Sequence, residues 1–177
     1  MADHFPYRLC AGSDDLTLIW RSGEGAGDGD PDRLLVDESG RLLAFAGRAP
    51  LREYCERHGP ELIWEGEGEL DLGPVRRWVE PPHLAPAGLP ELLLEAWNFF
   101  EDLSRSLPDG PPLPAQGPVH DSAYEKAFGG EPLAPASGED AWTAEEDAAV
   151  RELLRAGLEL WEHAVRTSVG AVRPTPR

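Results

Sequence analysis

Lysine is almost missing from this chain. Lys126 is the only one, and lysine and arginine together number 16 against 33 aspartates and glutamates, a formal net charge of −17. Such a field repels phosphate backbones and anionic lipid headgroups, so neither nucleic acid nor a membrane is expected as a direct partner. Long apolar runs are absent too. Nothing approaches the roughly 18 consecutive apolar residues of a spanning helix, and the opening MADHFPYRLC has neither a basic nor an apolar signal region. Cysteine is scarce: Cys10 and Cys55 belong to no CxxC or Cys/His cluster and sit in otherwise apolar segments, the pattern of free thiols in a reducing compartment. A cytoplasmic location is the expectation.

The motifs of catalysis are also missing. The five histidines include no pair at i, i+4, and WEHAV around His163 lacks the second histidine of HExxH. No serine stands in a G-x-S-x-G elbow, and neither cysteine has the local signature of a nucleophile. The run SGEGAGDGDPD, Ser22 to Asp32, mimics a phosphate loop in its glycines but carries four carboxylates and no G-K-[ST], so it would repel phosphate. As a calcium loop it has Asp28, Asp30 and Asp32 at the first three spacings, but Arg33 replaces the turn glycine and Ser39 the bidentate glutamate. The sequence therefore predicts no enzyme, no cofactor and no metal.

What is present divides into two unlike halves of one domain, 1–177. Residues 5–69 read as strands at YRLC, LTLIW, RLLVDE, RLLAF and ELIWE. Ser39 and Gly40 make a tight hairpin turn, and a short helix, APLREYCERHG, is capped by Gly59. Residues 71–169 read as helices. Asp71 caps LGPVRRWVE, which Pro81 and Pro82 stop; Pro90 opens a helix to Leu107; a short helical piece surrounds SAYEKAF. Thr143 with Glu146 forms a capping box before the last helix, and 170–177 reads as a frayed tail. The expected fold is α+β, an N-terminal mostly antiparallel sheet packed against C-terminal helices. The bias toward Ala, Gly, Pro and Arg reads as codon usage in a GC-rich bacterial genome.

The segment LLLEAWNFFEDLSRSL crowds aromatics against carboxylates. Projected at about 100° per residue, Leu89, Leu92, Leu93, Ala96, Phe100, Leu103 and Leu107 share one side with Trp97 and Phe99 flanking, and Glu91, Glu95, Asn98, Glu101, Asp102 and Arg105 lie opposite. This predicts a core helix with a solvated or docking acidic face, its aromatics and carboxylates turned apart. A second acidic run, EGEGELD, follows a strand. The two loop-borne clusters supply the expected partner-binding residues, Asp28, Asp30, Asp32, Glu65, Glu67 and Glu69, and the face carrying Asn98, Asp102 and Arg105 is the alternative docking surface.

The combination of VDESGRLLAF, a short helix, WVE, LLLEAWNFFEDLSRSL, AYEKAFGGEPL and a closing amphipathic helix resembles bacterial immunity proteins of contact-dependent and polymorphic toxin systems. The resemblance covers most of the chain and rests on hydrophobic and aromatic patterning. It implies a small, acidic, non-catalytic cytoplasmic protein that binds a cognate toxin domain, commonly a basic nuclease, and occludes its active site. It assigns no binding residue and no oligomeric state. The alternative expectation is a regulatory or scaffold module that binds another cytosolic protein or a peptide.

Overall fold

Strand β2, Asp14–Arg21, is where the two layers of the molecule meet. Its run Leu16, Thr17, Leu18 and Ile19 is buried without interruption, because both faces of the sheet are covered. Leu16 and Leu18 point into the main core, and Ile19 points into a smaller cluster with Leu43, Phe45 and Leu51. The computed structural model describes residues 2–23, 29–80, 89–129 and 141–168. Asp28, the Pro81–Pro82 stop and the tail at 170–177 lie outside them.

The strands β1 (His4–Ala11), β2, β3 (Arg33–Leu34), β4 (Ala44–Phe45) and β5 (Gly68–Asp71) form one sheet in the order β3-β2-β1-β5, with β4 also paired to β2. The ladders between these strands are antiparallel except β1 with β5, which is parallel. Three strand expectations need correction. RLLVDE and RLLAF keep only short ladders, joined by an isolated Val36–Leu42 bridge. Their turn is as expected: Gly40 N donates to Asp37 O at 3.0 Å, and Gly40 sits at φ 75°. ELIWE is not a ladder strand and makes a single bridge, Leu62 to His4. The edge strand is instead Gly68–Asp71, in what had read as an acidic run. Gly68 lies in register with Tyr7, and a Cβ there would stand 2.5 Å from Tyr7 Cδ2. Glycine marks the close approach that lets this strand pair at all.

The helices follow the sequence closely. Helix α1 (Arg48–His58) ends at Gly59 in the left-handed conformation and covers the outer face of the sheet through Leu51. Helix α2 (Leu72–Val79) is capped by Asp71, whose carboxylate accepts from Gly73 N at 2.8 Å. Helices α3 (Leu89–Ser106), α4 (Pro118–Gly129) and α5 (Ala144–Thr167) complete the inner layer. The capping box of α5 is formed in full: Glu146 N donates to Thr143 Oγ1 at 3.1 Å and Thr143 N to Glu146 Oε2 at 2.8 Å. Phe100 and Trp161 are both core residues, and Gly157 of α5 leaves the space that the Phe100 ring occupies.

Candidate functional site

Helix α3 is hemmed in by α2, α4, α5 and the sheet. Burial therefore extends beyond the expected apolar stripe: Trp97 and Phe99 are core residues, 2% and 5% exposed. What stays open is a narrow polar strip, and it lines two adjoining clefts. The first, of about 460 Å³, is walled by Tyr7, Trp20, Asp32, Glu95, Asn98, Phe99, Glu101, Asp102 and Arg105. The second, of about 370 Å³, lies between α3 and α4 and holds His120, Asp121, Tyr124 and Glu125. Glu101 borders both, so the two clefts adjoin at that side chain, and together they are the acidic trough of α3 and α4.

The expectation that aromatics and carboxylates face apart is corrected by these contacts. Trp97 Nε1 donates to Glu101 Oε1 at 3.1 Å and to Gln116 Oε1 at 3.2 Å, and Gln116 Nε2 donates to the same carboxylate at 2.6 Å. Trp20 Nε1 reaches Asp102 Oδ2 at 3.4 Å. Tyr7 lies parallel to Phe99, ring centroids 5.8 Å apart. Trp20 and Tyr7 are near-diagonal neighbours on the inner face of the β1–β2 pair, which sets both beside α3. The strand edge is pinned to the same helix: Leu34 N donates to Ser106 Oγ at 2.8 Å, and Arg33 Nη1 to Arg105 O at 2.9 Å.

The trough is strongly acidic. Asp32, Glu95, Glu101, Asp102, Asp121 and Glu125 line it against one arginine, Arg105, which is paired to Glu101 at 3.2 Å and also bonded to Asp102. Burial raises the Asp102 carboxyl, although Arg105 and Trp20 pull it back. Burial also raises the Tyr7 phenol, and the nearby Glu95 and Asp102 add to the effect. Tyr124 Oη donates to Asn98 Oδ1 at 3.1 Å, which ties the second cleft to the first.

Of the six carboxylates expected from sequence, the five that are described do not gather. Asp28 is not described. Asp30 is bonded to Arg21 and lies 3.6 Å from Arg33, while Asp32 accepts from Gly23 N at 2.6 Å and reaches the trough. Glu67 is bonded to Arg48, and Glu69 lies 3.2 Å from Arg8; both border a separate depression of about 660 Å³ that also holds Asp15, paired to Arg8 at 2.7 Å. Glu65 is exposed. Because β3 and β5 are the opposite ends of the strand order, the described members of the two clusters sit at opposite sheet edges, and Asp30, Glu67 and Glu69 are already matched by arginine. Around the face carrying Asn98, Asp102 and Arg105, the carboxylates of Glu95, Asp121 and Glu125 have no arginine or lysine partner among the described residues. Sequence reasoning missed Tyr7, Trp20, Asp121 and Glu125, whose place beside α3 no local signal encodes.

No described group of three or more His, Cys, Asp and Glu side chains is placed to hold a metal ion. Burial raises both thiols, with the Asp15 carboxylate adding to it at Cys10, a direction that disfavours the reactive thiolate. No described helix is long and apolar enough to cross a membrane. Comparison with known proteins finds no matching family model, no similar curated protein and no similar solved structure.

Proposed function

We propose that this chain is a cytoplasmic immunity protein that neutralises a cognate toxin domain, docking its acidic trough onto a basic active site. The observation that carries the reading is the trough itself, lined by the carboxylates of Asp32, of α3 and of α4 with Arg105 as the one arginine among its lining residues, in a chain of net charge −17. A nuclease presents a positive cleft to its substrate, and carboxylates can stand there in place of phosphates while the opposing fields speed encounter. Inhibition is then occlusion and needs no catalytic group on this side. The 18-residue helix α3 spans about 27 Å, the length over which its open strip can meet a partner.

The test is affinity capture from the native host at low salt, followed by co-expression of the captured partner. The partner alone should stop growth, and this protein should restore it. A basic partner that is harmless when expressed alone would overturn the toxin reading and favour a scaffold or regulatory module. A partner that binds with no dependence on salt would overturn the trough as its seat.

A further inference from the structure

We infer that the cleft between α3 and the β1–β2 face accepts the guanidinium of one arginine side chain, inserted from a basic protein partner against Trp20 and Tyr7. The inference rests on the proposed docking of a basic partner and names the group that anchors it.

Three features of the cleft converge on that occupant. Its volume of about 460 Å³ is far larger than a water site and suits a long side chain with its flanking backbone. Its lining is partly aromatic: Trp20 and Tyr7 are half-buried, and the largely buried Phe99 also lines it, stacked on Tyr7. A planar cation stacks on such rings, and guanidinium does so more readily than the compact, strongly hydrated ammonium of lysine. Its walls are acceptors. Glu95 is exposed and makes no hydrogen bond or ion pair among the described residues, so it is free to receive an incoming donor.

The arrangement excludes other occupants by the same chemistry. A phosphate or carboxylate would meet Asp32, Glu95, Glu101 and Asp102 with one paired arginine to offset them. A neutral apolar side chain would desolvate Glu95, which has no partner among the described residues, and give it nothing in return, which is costly. The chain already shows the same pairing elsewhere, with Arg151 3.9 Å from the Trp78 ring and Arg52 4.8 Å from Trp64. No described arginine lies over the Trp20 ring, and the proposed guanidinium fills that place from the partner.

The experiment is a two-dimensional NMR titration of the isotope-labelled protein with N-acetyl-arginine N-methylamide, with the citrulline and lysine analogues as controls. The arginine compound should shift the Trp20 indole N–H saturably. The neutral citrulline isostere should bind at least tenfold more weakly, and the lysine compound more weakly than arginine. Glu95→Gln should weaken arginine binding about fivefold, the scale of one partly screened ion pair, and Trp20→Phe should retain more affinity than Trp20→Leu. Glu95 is exposed, so its variant separates lost binding from lost folding even if the Trp20 variants are unstable. Equal shifts from citrulline, equal binding of lysine, or arginine shifts that avoid Trp20 would each overturn the inference. A growth-restoring partner bound equally well by wild type and Glu95→Gln would refute the anchor and leave the immunity reading standing. Arginine binding at Trp20 without a toxic partner would do the reverse.

Discussion

Gly157→Ala tests whether α3 and α5 pack as the structure shows. In an exposed helix this change helps, because alanine is favoured over glycine by about 0.5 to 1 kcal/mol. Here the new Cβ would lie 2.7 Å from Phe100 Cε2 and nearer still to Cγ and Cδ2. Those atoms are at the root of a fully buried ring that cannot swing aside without moving α3. Overpacking of a well-filled core costs about 1 to 3 kcal/mol. At the middle of both ranges strain outweighs the propensity gain, and the net expected loss is about 1 kcal/mol. For a chain of this length, that is a fall of roughly 2 to 4 °C in Tm. Urea unfolding followed by circular dichroism should show a lower midpoint with an unchanged m-value. Phe100→Leu alone should also destabilise through lost packing. Combined with Gly157→Ala it should cost less than the sum of the two, by about 1 kcal/mol, since the methyl then occupies space the ring vacated. A Gly157→Ala protein as stable as wild type, or strictly additive losses, would refute the packing argument.

Lys126 and Glu146 form a largely buried pair at 2.9 Å that ties α4 to the cap of α5, so Lys126→Met should cost more than a surface charge change; equal urea midpoints would contradict this. Burial works to raise the Glu146 carboxyl, but bonds from Ser122, Lys126 and Thr143 N outweigh it and leave it lowered. Its contribution is then complete above the ordinary glutamate range near 4.5 and is lost as pH falls below it. Glu146→Gln should flatten the stability profile of acid titration in that window. Exhaustive dialysis against EDTA should leave Tm unchanged, and a fall of several degrees would promote Asp28, Asp30 and Asp32 to a metal site. Reversing Glu95, Asp121 and Glu125 to lysine should slow association with the captured partner tenfold or more at low salt, by surface plasmon resonance, with the gap closing as the Debye length falls from about 10 Å at 0.1 M to about 3 Å at 1 M. Reversal of Glu65 alone should have a much smaller effect.

Much of this fold is local, and what is local was legible. The cap at Asp71, the capping box of Thr143 and Glu146, the stop at Gly59 and the turn at Gly40 each depend on a few neighbouring residues, and all four form. The apolar periods of α3 and α5 likewise identify core helices, because one helix repeat decides which side chains share a face. The division into a strand-rich and a helix-rich half follows from the same local preferences.

Tertiary structure decided the rest. Helical projection shows which residues share a face but not how many neighbours surround the helix; four packed elements pull Trp97 and Phe99 inside and shrink the polar face of α3 to a strip. The edge strand at Gly68–Asp71 depends on a glycine lying opposite Tyr7, a partner some sixty residues away in the chain. Acidity was plain in the composition, but its placement was not. Arginines distant in sequence neutralise Glu67 and Glu69, while α4 brings Asp121 and Glu125 beside Glu101. Charge is a property of composition, whereas a charged site is made by which opposite charges fail to arrive, and only the packed chain determines that.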